Sequence, residues 1–156
     1  MGSLVYPVPY RETKGDILPI DCLFIKLEPL QLPLINQFYK RVYKKGIARK
    51  NEAVFILKQK EIICSAKLKK IETHTLLCGV ACDPQFRKQG YATQLIDAIL
   101  ARQVQPVYCF PYSYLCSFYA QLGFIQMDLQ MVPDIIRQKY LTYSKNRSLL
   151  LMVHHH

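Results

Sequence analysis

The residue types and spacing most able to do chemistry lie in one stretch, Gln85-Phe86-Arg87-Lys88-Gln89-Gly90-Tyr91-Ala92. It follows an apolar run from Leu76 to Cys82 and precedes a helical pattern. The first backbone N–H groups of a helix have no acceptor within the helix, and the helix dipole places partial positive charge there. A strand, a basic turn and a helix N-terminus therefore make a site for a phosphate-bearing ligand. Arg87 and Lys88 add full positive charges beside it. Gly90 and Ala92 carry almost no side chain, so a pyrophosphate could approach the backbone closely.

Two further residues invite a chemical role. His74 is the one histidine outside the C-terminal tail. An imidazole titrates near neutral pH and can accept a proton from an ammonium group, directly or through water. A strand histidine is equally at home turned to solvent or satisfied in a core. Tyr119 stands in Tyr119-Ala120-Gln121-Leu122-Gly123-Phe124, at the end of a short helical pattern. With eleven tyrosines in the chain, packing is its plain alternative role.

The elements that must position these residues follow from apolar periodicity. Residues 22–28 read as a strand. A helix starts around Leu32-Pro33, with Leu34, Ile35, Phe38 and Val42 at helical spacing and Gly46 as its stop. Residues 53–58 and 61–70 form a hairpin, and 73–82 a mostly apolar strand of the kind buried on both faces. A helix over 89–103 presents Ala92, Leu95, Ile96, Ile99 and Leu100 along one side. Strand 106–110, short helix 113–122, strand 124–127, a helix opened by Pro133 and a leucine-rich strand 147–153 complete the order. The last strand is expected to be central or inserted between neighbours. Three antiparallel strands followed by β-α-β units predict an α/β mixed sheet with helices on both faces.

At 156 residues the chain suits one domain, here placed at 20–153. Residues 1–19 read as an extended arm, and 154–156 as a tag remnant. A hydrophobic fraction of 51% against 21% charged residues excludes a disordered composition. No apolar run approaches the ~20 residues of a membrane helix. The first sixteen residues hold no signal-peptide core, so a cytoplasmic protein is expected. None of the six cysteines forms a Cys-x-x-Cys pair, which favours small buried side chains over a metal site or disulfide. The net charge of +10 draws anions: nucleic acid, an anionic cofactor or an acidic protein. The basic residues are spread along the chain, and no base-reading motif stands out, so nucleic acid is the less favoured partner.

On these residues the sequence resembles the GNAT superfamily of N-acetyltransferases. The family signature Arg/Gln-x-x-Gly-x-Gly/Ala is matched by Arg87-Lys88-Gln89-Gly90-Tyr91-Ala92, with Pro84 three residues before the arginine. The second signature, Tyr-x-x-x-Gly-Phe, is matched by Tyr119 to Phe124, and strand 107–110 lies between the two. The resemblance covers about residues 20–153. It departs from the family at Lys88, where glycine is frequent, at Ser113, where asparagine is frequent, and at His74, where many members carry a glutamate base.

The resemblance implies a GNAT-like fold with about seven strands and a splay between the fourth and fifth. It implies an acetyl-CoA-dependent N-acetyltransferase (an acyltransferase) that acts by direct attack of an amine, with no metal. The pyrophosphate would be held by Arg87, Lys88, Gln89, Gly90, Tyr91, Ala92 and Thr93. The pantetheine arm would pair with Val80, Ala81 and Cys82, and a backbone N–H near Val80 would steady the thioester oxygen. Tyr119 would protonate the leaving thiolate, and His74 would stand as base, with a water-linked glutamate the alternative. The acceptor, a small molecule or protein amine, would meet Phe38, Tyr39, Arg41, Tyr43 and Lys44 on one side and Met131, Pro133, Tyr140 and Tyr143 on the other. Two other readings fit the same residues: an acetyl-CoA-binding sensor or interaction module without turnover, and a basic nucleic-acid-binding protein. A monomer and a homodimer are both compatible with the sequence.

Overall fold

The computed structural model describes residues 4–6 and 22–156. Its strands are β1 (Leu4–Tyr6), β2 (Leu23–Lys26), β3 (Glu52–Lys58), β4 (Ile62–Ile71), β5 (His74–Cys82), β6 (Val107–Cys109), β7 (Ile125–Gln126) and β8 (Met152–His154). Its α-helices are α1 (Leu32–Val42), α2 (Tyr91–Leu100), α3 (Cys116–Gln121) and α4 (Asp134–Tyr143). The structure adds one strand to the seven expected, β1, inside the stretch read as an arm; the rest of that arm lies outside the described residues. The chain packs as two compact units. One comprises the described residues up to Leu68 together with Gly79–Arg102, and the other Lys69–Cys78 with Gln103–His156.

In the first unit the strands neighbour one another in the order β1-β2-β3-β4-β5. β3 shows why this sheet needs a helix on each face. Val54 and Ile56 point one way and join Ile35, Phe38 and Tyr39 of α1 in a core that also takes in Ala48 and Ala81. Phe55 points the other way and stacks on Phe24 at 5.6 Å between ring centroids. The Arg102 guanidinium, just past α2, covers that Phe24 ring at 4.6 Å. A strand with both faces covered reads as a continuous apolar run, and Ala53 to Leu57 does.

In the second unit the order is β5-β6-β8-β7. β5 and β6 run parallel, with Thr75, Leu76 and Leu77 opposite Val107, Tyr108 and Cys109. β8 is antiparallel to both of its neighbours and so is the inserted strand the sequence suggested. It is shorter than the 147–153 run. Leu149 makes a bridge with Tyr112, and Leu150 donates its N–H to Pro111 at 2.8 Å, so this part of the run is held outside the regular ladder. His154, set aside above, is the last residue of β8 and lies opposite Val107. Ile136 of α4 is fully buried among Ile71, Leu76, Tyr108, Val132, Leu151 and Val153.

β5 carries one irregularity that matters below. A two-residue turn joins Ile71 to His74, which sets Lys70 opposite Thr75; their side chains meet at 2.8 Å. Further along, the Asp83 N–H donates to the Ile63 carbonyl at 2.8 Å. Lys70 back to Ile63 is seven residues, and Thr75 on to Asp83 is eight, so β5 holds one extra. Gly79 has φ +60°, the left-handed backbone a glycine bulge uses. β5 pairs with β6 from Thr75 to Leu77 and runs on to Cys82.

Candidate active site

The basic turn belongs to the first unit. After β5 the chain makes a 3-10 turn over Pro84–Phe86, capped by the Asp83 carboxylate, which accepts from the Gln85 N–H at 3.0 Å. Arg87 then runs extended, and Lys88 and Gly90 both take left-handed backbone, with φ of 62° and 87°. Gly90 is the N-cap of α2. No side chain caps this helix, and no acidic residue sits in its first turn. Its positive end is therefore left for an outside anion. Arg87, Lys88 and Gln89 are exposed, and Gly90, Ala92 and Thr93 are half-buried. Tyr91 faces inward, its ring edge-on to Phe86 at 6.0 Å. The tyrosine thus anchors the turn by packing, while the small residues on either side leave the backbone approachable.

Buried contacts fix the turn from behind. Arg41 of α1 donates to the Asp83 carboxylate at 2.6 Å. Asp83 is almost wholly buried. The Gln85 N–H and the Arg41 guanidinium hold its carboxyl below the usual carboxylate range. Arg87 Nε donates to the Cys82 carbonyl at 3.0 Å, which ties the head of the turn to the last residue of β5. Of the strand-end residues expected to receive pantetheine, Ala81 is buried in the α1 core, and Val80 and Cys82 are half-buried.

The bulge is pinned in its turn by Tyr39. Its hydroxyl donates to the Gly79 carbonyl at 2.8 Å and shares a hydrogen bond with Ser65 Oγ at 2.9 Å. A Cβ at Gly79 would meet Lys67 Cε at 2.5 Å. That lysine is buried with Glu52 at 3.2 Å and donates to the Ile47 carbonyl at 2.8 Å. Phe38 and Tyr39 are therefore core residues, and Tyr39 does not line the acceptor cleft expected of it.

Tyr119 belongs to the second unit, and its surroundings explain the motif around it. α3 ends in a Schellman cap: the Gly123 N–H donates to the Ala120 carbonyl at 3.0 Å and the Phe124 N–H to the Tyr119 carbonyl at 3.1 Å. Gly123 has φ 99°, as the C′ position of that cap demands. The Phe124 ring closes edge-on against Tyr119 at 5.5 Å, and Phe118 packs on it at 5.0 Å. The glycine and phenylalanine of the motif thus stop the helix and hold the tyrosine ring. Ser113, in the place where family members often carry asparagine, shares a hydrogen bond with Ser148 Oγ at 2.8 Å.

His74 opens β5, whereas Val80, Ala81 and Cys82 close it. Its ring meets Tyr108 edge-on at 6.0 Å. With Glu72, Pro133, Asp134, Ile135 and Gln138 it lines a shallow cavity of about 290 Å³. Tyr140 and Tyr143 have partners of their own: Tyr140 donates to the Leu149 carbonyl at 2.7 Å, and Lys69 Nζ donates to the Tyr143 hydroxyl at 3.3 Å. Among the described residues no group of three or more His, Cys, Asp or Glu side chains could hold a metal ion.

Residues 50–126, which include the hairpin, β5, the basic turn and α3, match the model of the acetyltransferase (GNAT) domain. This chain belongs to the GNAT family. Solved structures of GNAT proteins share its fold at low identity. N-acetylglutamate synthase from Neisseria gonorrhoeae, complexed with coenzyme A and L-arginine, aligns with a TM-score of 0.64 and 16% identity over 90% of this chain. The chain spans only 35% of that synthase. The ribosomal-protein-S18-alanine N-acetyltransferase from Escherichia coli aligns at 0.62 and 17%, over 85% of this chain and 92% of its own. Rv2747 from Mycobacterium tuberculosis, in complex with CoA and NLQ, aligns at 0.64 and 14%, over 85% and 98%. No curated protein sequence matches the chain.

Within this GNAT chain three positions escaped the sequence. Asp83 fell just past the strand read at 73–82, and Arg41 among the residues expected to meet the acceptor. Their pairing spans 42 positions of sequence and no local pattern announces it. Tyr39 fell on the apolar stripe of α1, where a buried aromatic ring is ordinary; its hydroxyl contact with Gly79 needs the tertiary fold. The one available signal was Gly79 itself, an isolated glycine inside a strand pattern, which marks a bulge or a close backbone approach.

Proposed function

We propose that the protein is an acetyl-CoA-dependent N-acetyltransferase that acts on a primary amine of a small molecule or protein. The observation that carries this reading is the uncapped N-terminus of α2. It is preceded by left-handed Lys88 and Gly90 and flanked by the exposed charges of Arg87 and Lys88. This arrangement fits a pyrophosphate, which needs several N–H donors and a surplus of positive charge within one turn.

Bound acetyl-CoA would supply an activated acyl carbon and a thiolate leaving group. In this reading the chain's own residues do the rest. Gly90, Ala92 and Thr93 give backbone N–H groups, and Thr93 a hydroxyl, to the phosphates, with Gln89 and Tyr91 completing the turn. Arg87 and Lys88 neutralise charge. Val80, Ala81 and Cys82 offer the end of β5 as an edge for an extended amide chain, and an N–H near Val80 steadies the developing oxyanion. Tyr119 donates a proton to the departing sulfur. His74, or a water linked to a glutamate, takes the proton from the amine.

Of the similar proteins, one is named an N-acetylglutamate synthase and another a ribosomal-protein-S18-alanine N-acetyltransferase, and an amino-acid or protein amine is the class of acceptor proposed here. An acid-poor chain with net charge +10 is a poor host for a polycation and a better one for an acid-bearing amine. We place the protein in the cytoplasm, where cysteines outside any disulfide are the rule. No helix among the described residues is long and apolar enough to cross a membrane.

The test is a thermal shift with CoA followed by thioester consumption over an amine panel of amino acids, peptides and polyamines. A CoA-dependent rise in melting temperature and amine-dependent thiol release are expected. Stabilisation by CoA with no turnover against any amine would favour a binding module, and no stabilisation would remove the reading.

A further inference from the structure

Three of the six cysteines are half-buried, Cys78, Cys82 and Cys116, and one of these faces another thiol. The hydrogen bond from the Asp83 N–H to the Ile63 carbonyl fixes the register at the far end of β5. Antiparallel ladder bonds join opposed residues, so this one sets Asp83 opposite Ile63. The next pair inward, Cys64 and Cys82, is therefore directly opposed at a non-hydrogen-bonded position. Residues so placed have Cα atoms ~4.5 Å apart and side chains on the same face. A disulfide asks for Cα atoms roughly 4.4–6.8 Å apart. The two thiols also hydrogen-bond to each other. The opposition depends on Gly79: in the register set by Lys70 and Thr75, Cys82 would face Ile63, and the extra residue of the bulge moves it onto Cys64.

We propose that Cys64 and Cys82 are a reversible, peroxide-responsive thiol pair that closes to a disulfide at the end of β5. The two cysteines differ in the way such a pair requires. Cys82 is partly open to solvent and next to the exposed Arg87, and its hydrogen bond from Cys64 together with the Arg87 charge favours its thiolate. Cys64 is fully buried, and burial pushes its thiol up, which protects it from direct attack. In the first step the Cys82 thiolate attacks one oxygen of hydrogen peroxide. The O–O bond breaks, hydroxide leaves and Cys82 becomes a sulfenic acid. In the second, the Cys64 sulfur displaces the sulfenic oxygen. The S–S bond forms, and the hydroxyl leaves as water with the Cys64 proton. Two thiols are oxidised and one peroxide is reduced to two waters.

The sulfur that moves belongs to the residue whose carbonyl holds Arg87, so closure acts at the head of the basic turn. The pair itself stands on geometry and does not depend on acetyl transfer.

The experiment is differential alkylation with peptide mapping of the full-length protein. Samples are taken before and after roughly one equivalent of hydrogen peroxide, and again after dithiothreitol. The expected result is a Cys64–Cys82 cross-linked peptide, reversed by dithiothreitol, with Cys116 still alkylatable. Cys82→Ser should abolish the cross-link and leave Cys64 unoxidised. Cys64→Ala should leave Cys82 as a sulfenic acid that dimedone traps. The proposal is overturned if Cys82 passes to the sulfinic acid without a cross-link, if Cys64 bridges to Cys22 instead, or if Cys116 is oxidised first. The wild-type map decides this even where a variant folds poorly.

Discussion

The guanidinium of Arg41 lies 2.6 Å from the carboxylate of Asp83, and through it α1 holds the first residue of the basic turn. Arg41 keeps about half its side-chain surface exposed, while Asp83 keeps almost none. The pair is therefore screened from one side only. Most of its worth lies in keeping a buried carboxylate partnered.

Asp83→Asn should lower stability at neutral pH by about 1–2 kcal/mol, the range for a charge-assisted hydrogen bond to a partly screened partner. The sign with pH follows from the depressed carboxyl. A group with a lowered folded-state pKa stabilises above its unfolded value, ~3.9, and loses that contribution as pH falls through the folded value. Urea unfolding should show the wild type ahead of the variant at pH 7 and the gap shrinking as pH falls below the unfolded value of ~3.9. An equal gap at both would refute the electrostatic account.

Lys88 takes φ 62° without being glycine. A side chain in that region costs ~1–2 kcal/mol, set against the greater chain entropy that glycine loses on folding. Lys88→Gly should be neutral or stabilising by up to about 1 kcal/mol, and Lys88→Val destabilising by about 1–2 kcal/mol. Lys88→Gly should also weaken CoA binding several-fold through the lost charge. Denaturation midpoints in the reverse order would show that Lys88 is not strained.

Gly90→Asn should keep the turn, because asparagine tolerates left-handed backbone. Gly90→Glu should abolish CoA binding by placing an anion and a bulky side chain at the N-cap of α2. Isothermal titration with CoA separates the two, and equal affinity in both variants would refute the cradle.

Tyr119→Phe and Gly123→Ala divide chemistry from capping. Gly123 at φ 99° has the His154 ring 3.1 Å from a Cβ position, so Gly123→Ala should cost at least about 1 kcal/mol. Tyr119→Phe keeps the ring contacts with Phe118 and Phe124. It should leave CoA affinity intact and reduce kcat by ~10²-fold if the hydroxyl is the acid. Unchanged turnover would remove Tyr119 from the mechanism.

The basic limb of the reaction is tested at His74. Its loss in His74→Ala should lower kcat/KM and flatten the acid side of its pH profile if the imidazole takes the proton. A profile matching the wild type would hand that step to a water-linked glutamate.

The order of strands and helices was legible because each element carries its own period. The apolar stripe of α1, the two-faced β3 and the glycine stop at Gly123 all act through near neighbours in sequence, whereas Gly46 is not the stop expected of it: α1 ends at Val42 with Tyr43 extended, and Gly46 closes a separate 3-10 turn. The basic turn was legible for the same reason, since its anion site is built from consecutive residues. The site's supports were not. Arg41 with Asp83, Tyr39 with the Gly79 carbonyl and Cys64 with Cys82 are contacts across 42, 40 and 18 positions, and no propensity encodes a partner that distant. The arm showed the same limit. Leu4–Tyr6 has no strong pattern and becomes a strand through its ladder with β2, opposite Phe24, Ile25 and Lys26.

The Schellman cap of α3 gives the second signature a different reading. Tyr-x-x-x-Gly-Phe is the spelling of a full stop: a ring at the last turn, a left-handed residue, a ring that folds back. A helix that stops in this way asks only for a left-handed residue, usually glycine, and an apolar contact across it, whatever reaction its chain performs. The single character that the stop does not require is one oxygen atom, the hydroxyl of Tyr119. Two chains can therefore share the whole phrase and differ in trade, and a phenylalanine written at that place would keep the grammar while deleting the verb.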